Sequence, residues 1–299
     1  MATTPALVPA LPSLAPRPLA GRLGLDLPPD WWPTRSGVKA WEAAGFGWLQ
    51  VHAPPVEVLC DWRAAACHAT ALRQTLATTP LELALHAPRG LRPSGRGAVR
   101  ELAALLDYAS ELGAGLVVCH ALDLPAGSPR DLLAAEEVVL AVAVRRAEEL
   151  GITLALENLA PAWPGRPRVA HDLAAVHALV QRRASARLRL CLDVAHAHLA
   201  ADTAHIPLAD LLAPVLDEVV LFHLHDNVGA RRGGAEPPGL PPLRLDLHLP
   251  PGAGTLPWAE IRGLLAPHRA PLVVEAGPPN RPAPLALAAV ASELLLRAR

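Results

Sequence analysis

Short, nearly continuous apolar runs alternate along the chain with longer stretches in which apolar residues recur every three or four positions. The runs are RLGLDL (22–27), FGWLQVH (46–52), LELALH (81–86), AGLVVCH (114–120), ITLALE (152–157), LRLCLD (188–193), EVVLFHLH (218–225) and PLVVEA (271–276). They are rich in Val and Leu, the composition of parallel strands buried on both faces. Between them SGVKAWEAAG, VEVLCDWRAAACHATALRQTLAT, SGRGAVRELAALLDYASELGAG, PRDLLAAEEVVLAVAVRRAEELG, HDLAAVHALVQRR, LADLLAPVLD, WAEIRGLLAPH and PLALAAVASELLLRAR predict helices. Gly45, Gly113 and Gly151 suit the left-handed position that ends a helix. Eight βα units in alternation predict an α/β fold, a single (β/α)8 TIM barrel over residues 21–299. An open doubly wound sheet shares the alternation, but no G-x-G-x-x-G follows the first strand. The Gly/Pro-rich segment VGARRGGAEPPGLPP (228–242) breaks the rhythm and reads as a mobile loop after strand seven.

The strand ends carry the candidate chemistry. Strands three to six end in His86, His120, Glu157 and Asp193; strand seven carries His223 and strand eight Glu275. The intervals are 34, 37, 36, 30 and 52 residues, the last lengthened by the 228–242 loop and by Asp246-Leu247-His248. C-terminal strand ends converge on one face of a barrel, so six metal-type side chains meet around one axis. His196, on the turn three residues beyond Asp193, joins them. So do Asp246 and His248, which point to one side if their loop is extended. One strand-end histidine is ordinarily a hydrogen-bonded core residue. Six successive strands delivering such residues, with buried acids that are costly unless paired, point to a metal site. Imidazole with carboxylate suits Zn, Mn, Fe or Co, and nine ligands suffice for one to three ions. His225, on the same side as His223, is a candidate to steady the ligands. His52, ending strand two, is a candidate substrate contact; core packing is the alternative for both. His68, His171, His177, His198, His205 and His268 fall on helices or loops away from the strand ends.

Composition narrows the partners. Apolar residues make up 52% of 299, enough for one large core, and a net charge of -1 lacks the basic excess of a nucleic-acid binder. A small-molecule substrate is expected, with at most a local basic rim. Residues 1–20 read as a flexible Pro/Ala-rich lead-in, because Pro5, Pro9, Pro12 and Pro16 interrupt any signal-peptide core. No run of about 18 apolar residues lacks Pro and charge, so no membrane span is expected. Cys60 and Cys67 fall on one predicted helix and Cys119 and Cys191 in strands, without a C-x-x-C pair. This pattern reads as reduced, buried thiols in a cytoplasmic protein.

The segments ALHAP (84–88), VVCHALD (117–123), LALENLAP (154–161), LCLDVAHAHLAAD (190–202), LFHLHDN (221–227), LDLHLPPGAGTLPW (245–258) and LVVEAG (272–277) resemble those of the xylose-isomerase-like TIM barrel superfamily. That superfamily includes sugar epimerases, sugar-phosphate isomerases and the endonuclease IV type of apurinic endonuclease. In the isomerases and epimerases, the resemblance implies, the metal sits among Glu157, Asp193, His223 and Glu275, with His196 against the substrate. In the endonuclease type, a three-zinc site takes in all of His86, His120, Glu157, Asp193, His196, His223, Asp246, His248 and Glu275. The endonuclease's polar, His-bearing first loop is replaced by LGLDLPPDWWP, its HDS by His86-Ala87-Pro88, and its DNA-inserting loops are not recognisable. These departures count against duplex DNA as substrate.

The favoured expectation is a metal-dependent isomerase or epimerase acting on a sugar, sugar phosphate or related polyol. Chelation of a carbonyl and its neighbouring hydroxyl would acidify the proton between them, with Glu157 and Glu275 flanking the substrate as base and acid. Trp31 and Trp32 would cover the apolar face of a sugar or pack the barrel mouth. Arg231 and Arg232 would hold a phosphate or lie solvated in their loop. The alternative is a multinuclear zinc phosphoesterase in which Glu157 bridges ions and Glu275 ligates or positions the nucleophile. A barrel that binds without catalysis is opposed by the intact pair of glutamates.

Overall fold

The computed structural model describes residues 19–29, 31–91, 97–121, 124–128, 130–161, 167–230, 245–277 and 282–296. The strands are β1 (Leu23–Asp26), β2 (Trp48–His52), β3 (Glu82–His86), β4 (Leu116–His120), β5 (Thr153–Glu157), β6 (Leu188–Asp193), β7 (Val219–Leu224) and β8 (Leu272–Val274). They pair in parallel in sequence order, and β8 closes on β1 as a barrel. The helices are α1 (Arg35–Ala43), α2 (Val56–Leu59), α3 (Trp62–Leu76), α4 (Ala98–Leu112), α5 (Arg130–Leu150), α6 (Leu173–Arg183), α7 (Val194–Ala204), α8 (Leu208–Leu212), α9 (Trp258–Leu265) and α10 (Pro284–Leu296). The (β/α)8 architecture is thus the one the apolar periodicity predicts.

Two apolar layers follow from strand alternation. One face of each strand packs outward on the helices, as Leu25, Leu85, Val117, Leu154 and Leu192 do in the main core. The other face fills the barrel with a small plug of Ala84, Leu116, Val118, Ala155, Cys191, Leu221 and Val273. Above this plug, two residues further along the inward face, stand His86, His120, Glu157, Asp193, His223 and Glu275. The period-two pattern therefore both fills the barrel and delivers the polar ring at its mouth.

Local chemistry changed some boundaries. The single helix expected over 56–78 is two, broken at Cys60-Asp61, because the Asp61 carboxylate accepts from the Arg63 and Ala64 amides and starts α3 afresh. Cys60 and Cys67 therefore lie on different elements; Cys67 is exposed and Cys60 half-buried, whereas Cys119 and Cys191 are buried. The turn expected at His196 is the start of a helix, α7, with Asp193 as its N-cap. Pro214 ends α8, and 213–218 continue as a 3-10 helix. Gly45, Gly113 and Gly151 have φ of +94°, +88° and +70°, as the helix-end reading requires.

Residues 1–18 of the expected lead-in, and residues 231–244 with Arg231 and Arg232, lie outside the described residues. Among the described residues no single helix is long and apolar enough to cross a membrane.

Candidate metal centre

Pairing register assembles the ring. His120 stands beside Glu157. The β6–β7 register slips by one residue at Val220, since Leu190 pairs with Val219 but Cys191 with Leu221, and this brings His223 beside Asp193. One ligand atom from each of Glu157, Asp193, His223 and Glu275 falls within 4.8 Å of the others. A second group of this kind is His86, His120 and Glu157, and a third is His196, His225, Asp246 and His248. All nine residues singled out from the sequence come together in these three groups; Glu157 belongs to two of them, and to a fourth with Cys191 and His223.

Both oxygens of Glu157 are engaged. Oε1 lies 3.1 Å from His223 Nδ1, while Oε2 lies 3.2 Å from His86 Nε2 and 3.6 Å from His120 Nε2. Burial opposes ionisation of Glu157, but the imidazoles of His223, His86 and His120 hold its carboxyl well below the usual range. Asp193 is lowered likewise, against burial, by His196 and His225.

The imidazoles are oriented as ligands. His86 Nδ1 reaches the Ala87 carbonyl at 2.7 Å, His196 Nδ1 that of Asn158 at 2.9 Å, and His248 Nδ1 that of Glu275 at 3.1 Å. A carbonyl only accepts, so each Nδ1 carries a hydrogen, and each neutral ring turns its Nε2 lone pair into the site. His196 Nε2 and Asp246 Oδ1 are buried without hydrogen-bond partners, although 3.3 Å apart. Buried polar atoms are rarely left so. A divalent cation in the third group would satisfy both, and the N/O donor set suits Zn, Mn, Fe or Co.

Without a cation, protons take its place. Burial lowers the His248 imidazole, but the hydrogen bond and charge of Asp246, with the charge of Glu275, outweigh it and push it up to about 9. His196 is likewise raised well above its ordinary value, against burial, by Asp193 and Asp246. A metal must displace these protons, so apparent affinity is expected to rise with pH up to about 9, past the point where ordinary imidazoles have finished titrating. Calorimetric zinc titration at about pH 7.5 in buffers of different ionisation enthalpy should show more than one proton released per chain. Release of none would contradict the assignment.

Several supporting residues escaped the sequence reading. Gln50 donates from Nε2 to Glu275 Oε1 at 2.7 Å and to Asp26 Oδ1 at 3.0 Å, and its Oε1 lies 2.9 Å from His223 Nε2. Asn158 clamps the Asp193 backbone, accepting from its N–H at 2.9 Å and donating to its carbonyl at 3.0 Å. Asp226 accepts from the amides of Asn227, Gly252 and Leu256 and from the Trp258 indole, at 2.9–3.2 Å. Gly252 has φ +84°, and a Cβ on Gly254 would overlap the Asn227 carbonyl and the Asp226 carboxylate. Gly252 and Gly254 thus let the loop that carries Asp246 and His248 close on Asp226. Cys191 also abuts Glu157 and His223, and burial pushes its thiol up to about 12. A polar residue two positions before His52 on the same face of β2 was the available signal for Gln50, and an acid ending β1 the signal for Asp26.

Some positions differ from expectation. His196 lies on the first turn of α7, because the Asp193 carboxylate accepts its amide at 2.7 Å. Asp246 and His248 do not converge through an extended loop. His248 has φ +46°, and this turn brings its Nε2 to Asp246 Oδ2 at 3.1 Å. His225 reaches Asp193 Oδ2 at 3.0 Å and stacks on His248. Seven of the nine candidate ligands, all but Asp193 and His223, line a cavity of about 870 Å³ whose walls include His52, Arg89 and Arg168. His52 is held by Asp26 at 3.0 Å. Trp31 and Trp32 do not line this cavity; Trp32 turns instead to pack against His68 of α3.

The family model of xylose isomerase-like TIM barrels matches residues 38–296. The chain belongs to that family. Among solved structures, a D-tagatose 3-epimerase-like protein is similar with TM-score 0.69 and 19% identity over 92% of this chain and 97% of its own. The apo form of 3-keto-D-glucoside 4-epimerase from E. coli follows at 0.65 and 14%, over 91% of this chain and 98% of its own. A Thermus thermophilus protein soaked with ZnCl2 gives 0.63 and 23%, over 91% of this chain and 98% of its own. These structures share the fold. No match by sequence is found among curated proteins.

Proposed function

We propose that this chain is a metal-dependent enzyme that hydrolyses a phosphoester of a small polyhydroxylated compound, such as a sugar phosphate. The observation that carries this reading is Glu157, both of whose oxygens are engaged, one toward His223 of the inner quartet and the other toward His86 and His120. A carboxylate so placed suits a bridge between ligand groups. Divalent ions held there supply charge for phosphoryl oxygens and lower the pKa of a bound water. Arg89 and Arg168 on the cavity wall pair with the remaining phosphate charge. Gln50 holds one oxygen of Glu275, a residue that lines the cavity, and the other would orient the attacking water.

The second reading is isomerisation or epimerisation of a carbohydrate by the inner quartet alone. The Glu275 oxygen that Gln50 does not hold favours it, since that oxygen is placed to take a proton from carbon. The epimerase names of similar folds support it as well. Purified protein, counted for metals by mass spectrometry, is to be incubated in deuterium oxide with a panel of sugar phosphates. Three ions per chain with phosphate release, and no deuterium entering carbon, is the expected result. One ion with deuterium wash-in beside a carbonyl would replace hydrolysis by isomerisation.

A further inference from the structure

A second cavity, of about 920 Å³, opens beside the metal cavity between the loops that follow β1, β2 and β3. The two share Pro28, Pro29, His52 and Arg89 as a common wall, so one ligand can span both. The remaining lining includes Trp31, Trp32, Pro33, Pro54, Val56 and His68. In a chain only 3% aromatic, Trp31 and Trp32 are 57% and 49% exposed. Indoles normally bury most of their surface, so two half-open ones lining a cavity call for a ligand.

Trp32 is anchored. Its ring meets that of His68 edge-on, with centroids 5.0 Å apart at 83°. His68 Nδ1 is fixed in turn at 2.7 Å by the hydroxyl of Tyr108, which is buried in α4. The platform is therefore set by the scaffold and loses little freedom when a ring stacks on it. Prolines and an indole select a flat apolar group, while the charged head is retained at Arg89 and the metal ligands.

Resting on the phosphoester reading, we infer that this cavity is the leaving-group subsite and takes a planar aromatic ring. In a diester that joins such a sugar phosphate to an aryl group, the bond from phosphorus to the aryl oxygen breaks. Water supplies the new oxygen on phosphorus, and a proton ends on the departing alcohol.

The probes are phenylphosphonate and methylphosphonate, which are not hydrolysed, titrated calorimetrically into the metal-loaded protein. Wild type is expected to bind the phenyl compound about tenfold more tightly, Trp32→Ala to lose that advantage without weakening methylphosphonate, and Trp32→Phe to keep most of it. Equal binding of both phosphonates by wild type, or equal loss of both in Trp32→Ala, would overturn the subsite. Phenyl glucoside separates the two readings. If it binds with the same Trp32 dependence while neither phosphonate binds, the subsite stands and the phosphoester reading falls. If no aryl compound depends on Trp32, the subsite falls whatever the reaction.

Discussion

Glu157→Gln is expected to lower turnover at least a thousandfold, about 4 kcal/mol of transition-state stabilisation, and to cut the metal content from three ions to one. The side chains are nearly identical in volume, so the barrel and its circular dichroism should be unchanged. The charge is not equivalent. Glu157 is buried among three imidazoles whose nitrogens approach its two oxygens. An amide offers one acceptor, and its NH2 would point at a nitrogen lone pair or a cation. Two groups of ligands share this carboxylate, so both should weaken, while the His196–Asp246–His248 group keeps its ion. If Glu157 served only as a proton shuttle, turnover would vanish but metal content would stay at the wild-type level. Mass spectrometry on the purified variant therefore tests the bridging role apart from the rate.

The largest loss of stability is expected at Asp226. Its carboxylate accepts three backbone amides and the Trp258 indole, and none of its surface reaches solvent. Asp226→Ala would leave four donors without their acceptor, three of them buried, at about 1–3 kcal/mol for each that water cannot reach. The expected total is about 4 kcal/mol, seen as a fall of about 10 °C in melting temperature. A second consequence is local. Asp226 pairs through its backbone with Leu249, next to His248, and its side chain holds Gly252. Released, that loop should no longer present Asp246 and His248 together, and one ion of three should be lost. Asp226→Asn, which keeps one acceptor oxygen, should fall between the two. A melting temperature within about 2 °C of wild type for the alanine variant would show that the loop is held by other contacts.

The strand ends were readable because position along a strand is local information. Apolar alternation marks where each strand runs and which face its last residue takes, so His86, His120, Glu157, Asp193, His223 and Glu275 were visible as one ring. The helix starts at Asp61 and Asp193 were less visible, because a capping carboxylate in the middle of an apolar stretch resembles a surface residue. Trp31 and Trp32 were readable as lying beyond strand one, but not which cavity they line, since only the packing of Trp32 on His68 sets its direction.

By itself the sequence determined the barrel, the nine candidate ligands and the end at which they gather. Period, length and punctuation are properties of neighbouring residues and need no knowledge of distant ones. Only the tertiary structure decided how those ligands divide into three groups. That division rests on the slipped register at Val220, which sets His223 beside Asp193. It rests also on the carbonyls of Ala87, Asn158 and Glu275, which turn three imidazole Nε2 atoms inward. Gln50, from a strand three places around the ring from β7, then joins His223 to Glu275. Each of these contacts spans elements whose separation in sequence carries no signal of their closeness, so the engagement of both Glu157 oxygens became visible only when the barrel closed.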